Sequence, residues 1–180
     1  MENQLNKKSF FFEVPKNISF LIKDNILYIK KSNNFDKFVL NFGQLSIKNS
    51  LLCLTFPTLL WDEKKQIKII VEFSNFLKGI SKGFYITLKF NGIGYRIISI
   101  NKHLLKIKIG YNKPIEIAIP SDIEILVLNR LTFLVKSNNL KKLRNFVIKI
   151  RKIRKPDIYK AKGIQYLNET FKLKEIKKVL

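Results

Sequence analysis

The chain has 180 residues, with 35 Lys and Arg against 13 Asp and Glu, and a formal net charge of +22. It is 46% hydrophobic, enough to build a core and to exclude wholesale disorder, while one Cys and one His argue against disulfides, zinc sites and His-based triads. No apolar run approaches the roughly 18 residues of a membrane span, and the opening MENQLNKKSFFFEVP lacks a basic-then-apolar secretory pattern.

In chain order, two segments first alternate apolar and polar residues around short Asn-containing turns. They are Phe20 to Lys30, turning at Asp24 and Asn25, and Leu45 to Phe56, turning at Lys48, Asn49 and Ser50. Period-two alternation with turn residues that tolerate left-handed geometry predicts β-hairpins. A helix is predicted next, over Asp62 to Gly83. Lys64, Lys68, Glu72, Asn75 and Lys78 fall on one face, and Ile67, Ile70, Phe73, Leu77 and Ile80 on the other. Asp62 is placed to cap its start, and Gly79 or Gly83 its end. Trp61 either staples that start or belongs to a contact surface.

The pattern then repeats. Hairpins are predicted over Ile97 to Gly110, turning at Asn101 to His103, and over Glu124 to Lys136, turning near Asn129 and Arg130. A second helix follows from Asn138 to Pro156. Leu140, Leu143, Phe146, Val147, Ile150 and Ile153 form its apolar arc, Asn138 or Asn139 its cap, and Pro156 its stop. Asn25 to Asn101 spans 76 positions, Asn49 to Asn129 spans 80 and Asp62 to Asn138 spans 76. The offset predicts an internal duplication. The fold class is α+β: two tandem domains, each a mainly antiparallel sheet with one packed helix, over residues 1–82 and 83–156. Residues 157–180 lack core periodicity and are expected to form an extended basic tail.

Residues 1–82 carry 13 Lys and Arg against 7 Asp and Glu, residues 83–155 carry 16 against 3, and all five arginines lie in that second block. Guanidinium groups fork around phosphate, so the second half is the expected anion-binding half. Within it, Arg151 to Tyr166 interleaves bases with two tyrosines, a Pro and a Gly, which suits a nucleic-acid backbone. Gly92 and Gly94 in LKFNGIGYRI make either a twisted strand corner or a bulge approaching phosphate. Ile109 to Pro120 reads as strand, turn at Asn112 to Pro114, and strand. Cys53 is expected to be an inert core thiol and His103 a solvated turn residue. The acids are scattered, so no catalytic carboxylate pair is nominated. Enzymatic activity, a cofactor, a metal and a small-molecule substrate are not expected. Phe, Tyr, Met, Ile, Asn and Lys total 96 residues against 19 of Gly, Ala, Arg and Pro. These residues have AT-rich codons, and the bias points to an organellar or reduced genome.

Five segments resemble motifs of one family, the sixth protein of the large ribosomal subunit in its bacterial and organellar form. They are FEVPKNISFLIKDNILYIK, SNFLKGISKGF, LKFNGIGYRI, IGYNKPIEIAIP and KIRKIRKPDIYKAKGI, in the family's order. The last is the most specific. The chain departs from the family pattern at Asn17, Lys113, Arg144, Val147, Ile148, Lys155, Ile158 and Ala161. The resemblance implies two copies of an α+β domain. It also implies a structural role in binding large-subunit rRNA near the stalk base and factor-binding region, beside neighbouring ribosomal proteins. By the motif match, binding is expected at Arg151, Arg154, Pro156, Tyr159, Lys160, Lys162 and Gly163. Further candidates are Lys82, Arg96, Lys141, Lys142, Arg144, Lys149 and Lys155. Gly92, Gly94 and Tyr95 match their motif. An organellar ribosome is expected, with a mitochondrial one favoured. The alternative is a basic peripheral protein that binds anionic membrane surfaces through its last helix.

Overall fold

In a computed structural model describing residues 7–13, 18–31, 34–40, 43–48, 51–57, 63–170 and 172–175, the alternating arms pair as antiparallel strands. The chain divides into two compact units between Lys82 and Gly83. The first holds β1 (Lys7–Glu13), β2 (Ser19–Lys23), β3 (Ile26–Lys31), β4 (Asn34–Val39), β5 (Gln44–Lys48), β6 (Leu51–Pro57) and α1 (Glu63–Ser81). The second holds β7 (Phe84–Asn91), β8 (Arg96–Ile100), β9 (Leu104–Lys108), β10 (Ile115–Ala118), β11 (Glu124–Asn129), β12 (Thr132–Ser137), α2 (Leu140–Ile153) and β13 (Gly163–Tyr166).

The duplication is visible strand by strand. Three consecutive strands form a meander in each unit, β2-β3-β4 and β8-β9-β10. In each, the first strand then pairs with the last strand before the helix, β1 with β6 and β7 with β12. The strands of each unit therefore divide between two small sheets rather than one. In the second unit glycine makes the corner that connects the two sheets. Gly92 and Gly94, at φ 154° and 76°, turn the chain from β7 into β8. These angles fit the strand-corner reading of that motif. Asp24 and Asn25, at φ 48° and 62°, form the tight turn expected between β2 and β3.

α1 lays Phe73, Leu77 and Ile80 into a core with Leu27, Ile29, Leu52, Leu54 and Phe56. The Phe73 ring meets Phe12 edge-on at 4.9 Å and Phe38 at 5.2 Å. Ile67, expected in that core, is 59% exposed, and Gln66 is buried instead. At 100° per residue Gln66 lies within about 20° of Phe73, whereas Ile67 lies about 120° away. The apolar arc is thus centred on Phe73 rather than spread to Ile67. Gly79 is buried within the helix, and Gly83, at φ 72°, follows its end as a left-handed terminator.

α2 behaves as its pattern predicts. Leu143, Phe146, Val147 and Ile150 are buried against Leu88, Phe90, Phe133 and Val135 of the sheet. Each such side chain contributes about 1.5–3 kcal/mol by leaving water. Asn139 is the cap, its side chain accepting from the amides of Lys141 and Lys142. Because this face is covered by the sheet, it does not supply the exposed apolar surface that the membrane alternative required. Among the described residues no helix is long and apolar enough to cross a membrane.

The expected tail over 157–180 is corrected in its first part. β13 adds to the sheet antiparallel to β7, pairing Gly163 with Asn91 and Tyr166 with Leu88, and Ile164 is fully buried. Four residues are too few to display a period. The free edge of β7 supplies the partner that makes them a strand. Val14 to Asn17 of the family-like opening, the turn at Asn49 and Ser50, Trp61, the Asp62 cap and the terminal residues 176–180 lie outside the described residues.

Candidate nucleic-acid interface

Between α2 and β13 the chain makes a closed basic loop. Its base is tied by two backbone hydrogen bonds: the Ile164 amide donates to Arg154 O at 3.0 Å, and the Asp157 amide to Lys162 O at 2.9 Å. Inside it, the Ala161 amide donates to Asp157 O at 2.9 Å and the Tyr159 amide to Asp157 Oδ1 at 3.2 Å. The β7 end holds it from outside, with Asn91 Nδ2 donating to Ala161 O at 3.0 Å. The loop exposes Arg154, Lys155, Tyr159, Lys160 and Lys162 within nine residues.

Gly163 differs from this expectation. It is buried, at φ 150°, and a Cβ there would stand 2.5 Å from Pro156 Cα. Its hydrogen atom lets two backbone segments close the loop, so its contribution is to shape rather than to contact. Ala161 occupies the left-handed region at φ 52°, a conformation that costs a non-glycine residue about 1–2 kcal/mol. The surrounding hydrogen bonds hold it there.

Three motifs that are far apart in sequence meet beside this loop. The Tyr95 ring is buried between Gly92 and Gly110, where added Cβ atoms would come within 2.9 Å and 3.0 Å of it. The Arg154 guanidinium lies 5.3 Å from the Tyr111 ring centroid. Hydrogen bonding to the Tyr111 phenol, and then to that of Tyr95, raises the Arg154 pKa further above its ordinary value. Tyr111 also donates to Ile153 O at 3.1 Å, at the end of α2. Arg154 is therefore an exposed cation on an aromatic platform, aimed before any ligand arrives. At the corner, Ile93 is 90% exposed.

The remaining candidates separate by what they touch. Lys141, Arg144 and Lys149 are exposed on α2, and Arg96 at the start of β8. Lys142 is exposed but ion-paired with Asp122. Arg151 is only partly exposed, is ion-paired with Glu169, and stacks 4.6 Å from the Tyr166 ring centroid. Lys82 is exposed at the end of the first unit, so it is not among the residues that the second unit brings together. Among the described residues no ion pair involves Arg96, Lys141, Arg144, Lys149, Arg154, Lys155, Lys160 or Lys162. Also among them, no group of three or more His, Cys, Asp or Glu could hold a metal ion. Cys53 is a buried free thiol, and His103 is exposed.

Sequence reasoning missed Asn91, Tyr111 and Glu169. Tyr111 sat inside a motif read as strand and turn, and Asn91 beside the two glycines that drew the reading of its motif. Glu169 fell in the stretch read as tail, where an acid carried no information.

Fold and surface define a class: a duplicated α+β protein whose second unit concentrates exposed, unpaired cations around one tied loop. Residues 91–167, from the end of β7 through that loop and β13, match the family Ribosomal protein L6. The chain is 32% identical over 178 residues to the large ribosomal subunit protein uL6m of Reclinomonas americana, covering 92% of this chain and 95% of that protein. It is 32% identical over 164 residues to uL6 of Mycoplasmoides gallisepticum, covering 87% of each. To uL6 of Levilactobacillus brevis it is 36% identical over 102 residues, an alignment that spans 57% of each chain. The chain belongs to the ribosomal protein L6 family, structural proteins of the large ribosomal subunit and not enzymes.

Proposed function

We propose that this chain is a structural constituent of the large ribosomal subunit that binds large-subunit rRNA through its second unit. The observation that carries the reading is the tied loop from Arg154 to Gly163, whose exposed cations have no acidic partner among the described residues while its backbone is internally hydrogen-bonded. A loop that is ordered before binding loses little entropy on association. Lys155, Lys160 and Lys162 would neutralise phosphates, and Tyr159, 49% exposed, offers a ring to a ribose or base. Lys141, Arg144 and Lys149 of α2, with Arg96, would extend the contact.

The family-like signature over Lys149 to Ile164 supports placement near the stalk base and factor-binding region, beside neighbouring large-subunit proteins. The AT-biased composition and the similarity to a uL6m protein support a mitochondrial ribosome, with bacterial relatives of similar identity as the competing origin. The test is rRNA binding across salt. Counterion release makes log affinity fall linearly with log salt, by about 0.7 to 0.9 per phosphate neutralised. A steep slope with large-subunit rRNA is expected, and a flat response sinks the mechanism. Cross-linking from Lys160 and Lys162 tests the placement, which fails if the links map elsewhere than stalk-base rRNA.

A further inference from the structure

We infer that Glu169 is a positioning residue: its ion pair with Arg151 clamps the returning chain and holds the basic loop in its binding shape. This rests on the reading of the loop as an rRNA contact and corrects the role of Arg151 within it. The family-like signature counts Arg151 among the binding residues. Its guanidinium is instead turned inward, its Nη2 donating to Glu169 Oε1, with side chains only 26% and 23% exposed.

Glu169 uses both carboxylate oxygens. Oε2 accepts from the Tyr166 amide at 3.1 Å, and the Glu169 amide donates back to Tyr166 O at 3.1 Å. One side chain thus joins the last turn of α2, the end of β13 and the turn that follows. That turn sends the chain back to the loop, where the Lys174 amide donates to Ile158 O at 3.3 Å. The leading edge of β13 is fixed as well, by Ile164 to Arg154 O and by Gln165 to Ala161 O. The loop therefore lies between a helix end and a strand whose separation the Arg151–Glu169 pair sets. Such a brace is needed because Arg154, Lys155, Lys160 and Lys162 repel one another. A pair that excludes part of its solvent is screened less than an open surface pair.

The clamp makes a prediction opposite in sign to charge alone. Glu169→Gln raises the net charge by one, and simple attraction then predicts tighter RNA binding. The clamp predicts weaker binding, by about tenfold, because the ordering cost now falls on association. Arg151→Glu should also weaken binding. The swap Arg151→Glu with Glu169→Arg rebuilds the pair with its sense reversed, and should recover most of the lost affinity. A phosphate contact by Arg151 would not be recovered by the swap.

The experiment measures rRNA affinity for the full chain and these three variants, with amide hydrogen exchange at Asp157, Ala161 and Ile164 in the absence of RNA. Support consists of weaker binding and faster exchange in Glu169→Gln, with both reversed in the swap. Unchanged or tighter binding by Glu169→Gln, with unchanged exchange, overturns the clamp. Should the swap fail to fold, Glu169→Gln alone decides by the sign of its effect. If the unaltered chain binds no rRNA, the functional reading fails by itself, and the exchange measurement still tests the clamp.

Discussion

The two units share a meander, a closing hairpin, a first strand paired with the sixth, and one helix, yet they present different surfaces. On α1 the exposed face mixes Glu63 and Glu72 with Lys64, Lys65, Lys68 and Lys78. On α2 it carries Lys141, Lys142, Arg144, Lys149 and Lys152 with no acid. The second unit also adds β13 to the free edge of β7. That single added strand anchors a loop which the first unit lacks among its described residues. Duplication supplies a stable platform twice; the extension after α2 gives one of them an exposed basic loop.

The comparison is broken most severely by reversing charge on the loop. Lys160→Glu with Lys162→Glu should reduce rRNA affinity on the order of a hundredfold at 0.1 M salt and lower the salt slope by about two. The melting temperature should stay unchanged, because among the described residues neither lysine is ion-paired. Lys64→Glu with Lys68→Glu on α1 is the matched control and should cost far less affinity. Equal losses from both pairs would remove the distinction between the units.

Backbone shape comes next. Gly163→Ala places a Cβ against Pro156 at a positive φ, which should cost about 1–3 kcal/mol and weaken rRNA binding as well. Gly43→Ala in the first unit meets Thr55 O at 2.7 Å at φ 89°. It should lower stability by a similar amount while leaving affinity nearly intact. Chemical denaturation with parallel binding curves separates the two effects.

Smaller effects refine the contrast. Asn139→Ala removes a cap from Lys141 and Lys142 and should cost about 1 kcal/mol, read by thermal unfolding. Asp122→Asn releases Lys142 from an exposed pair. Stability should change by less than about 1 kcal/mol, and rRNA affinity should rise slightly as a cation becomes available. A fall in affinity would mean that Lys142 must be held by Asp122 to bind.

Most elements with enough residues to show a period were legible in the sequence, although β1 and β4 were not read. The hairpins, both helices and the duplication followed from alternation, 3.6-residue spacing and a repeated offset. The Asn139 cap lay between two named candidates. What stayed hidden depended on partners distant in sequence. Ile67 and Gln66 exchanged roles because an apolar count does not fix the centre of a helical face. β13 is too short to read alone and exists because β7 has an open edge. The candidate site was legible as a run of charges around Tyr159. That Arg151 faces Glu169, that Gly163 is buried, and that Tyr111 and Tyr95 support Arg154 are properties of contacts. No spacing rule announces them.

The most direct test of the central claim is sedimentation of the tagged chain from gently lysed cells, with RNase treatment as control and the Lys160→Glu, Lys162→Glu variant alongside. The account predicts that the chain migrates with the large ribosomal subunit, that RNase releases it, and that the variant is depleted from that fraction. Migration as free protein or with membranes, or full incorporation of the variant, would contradict it.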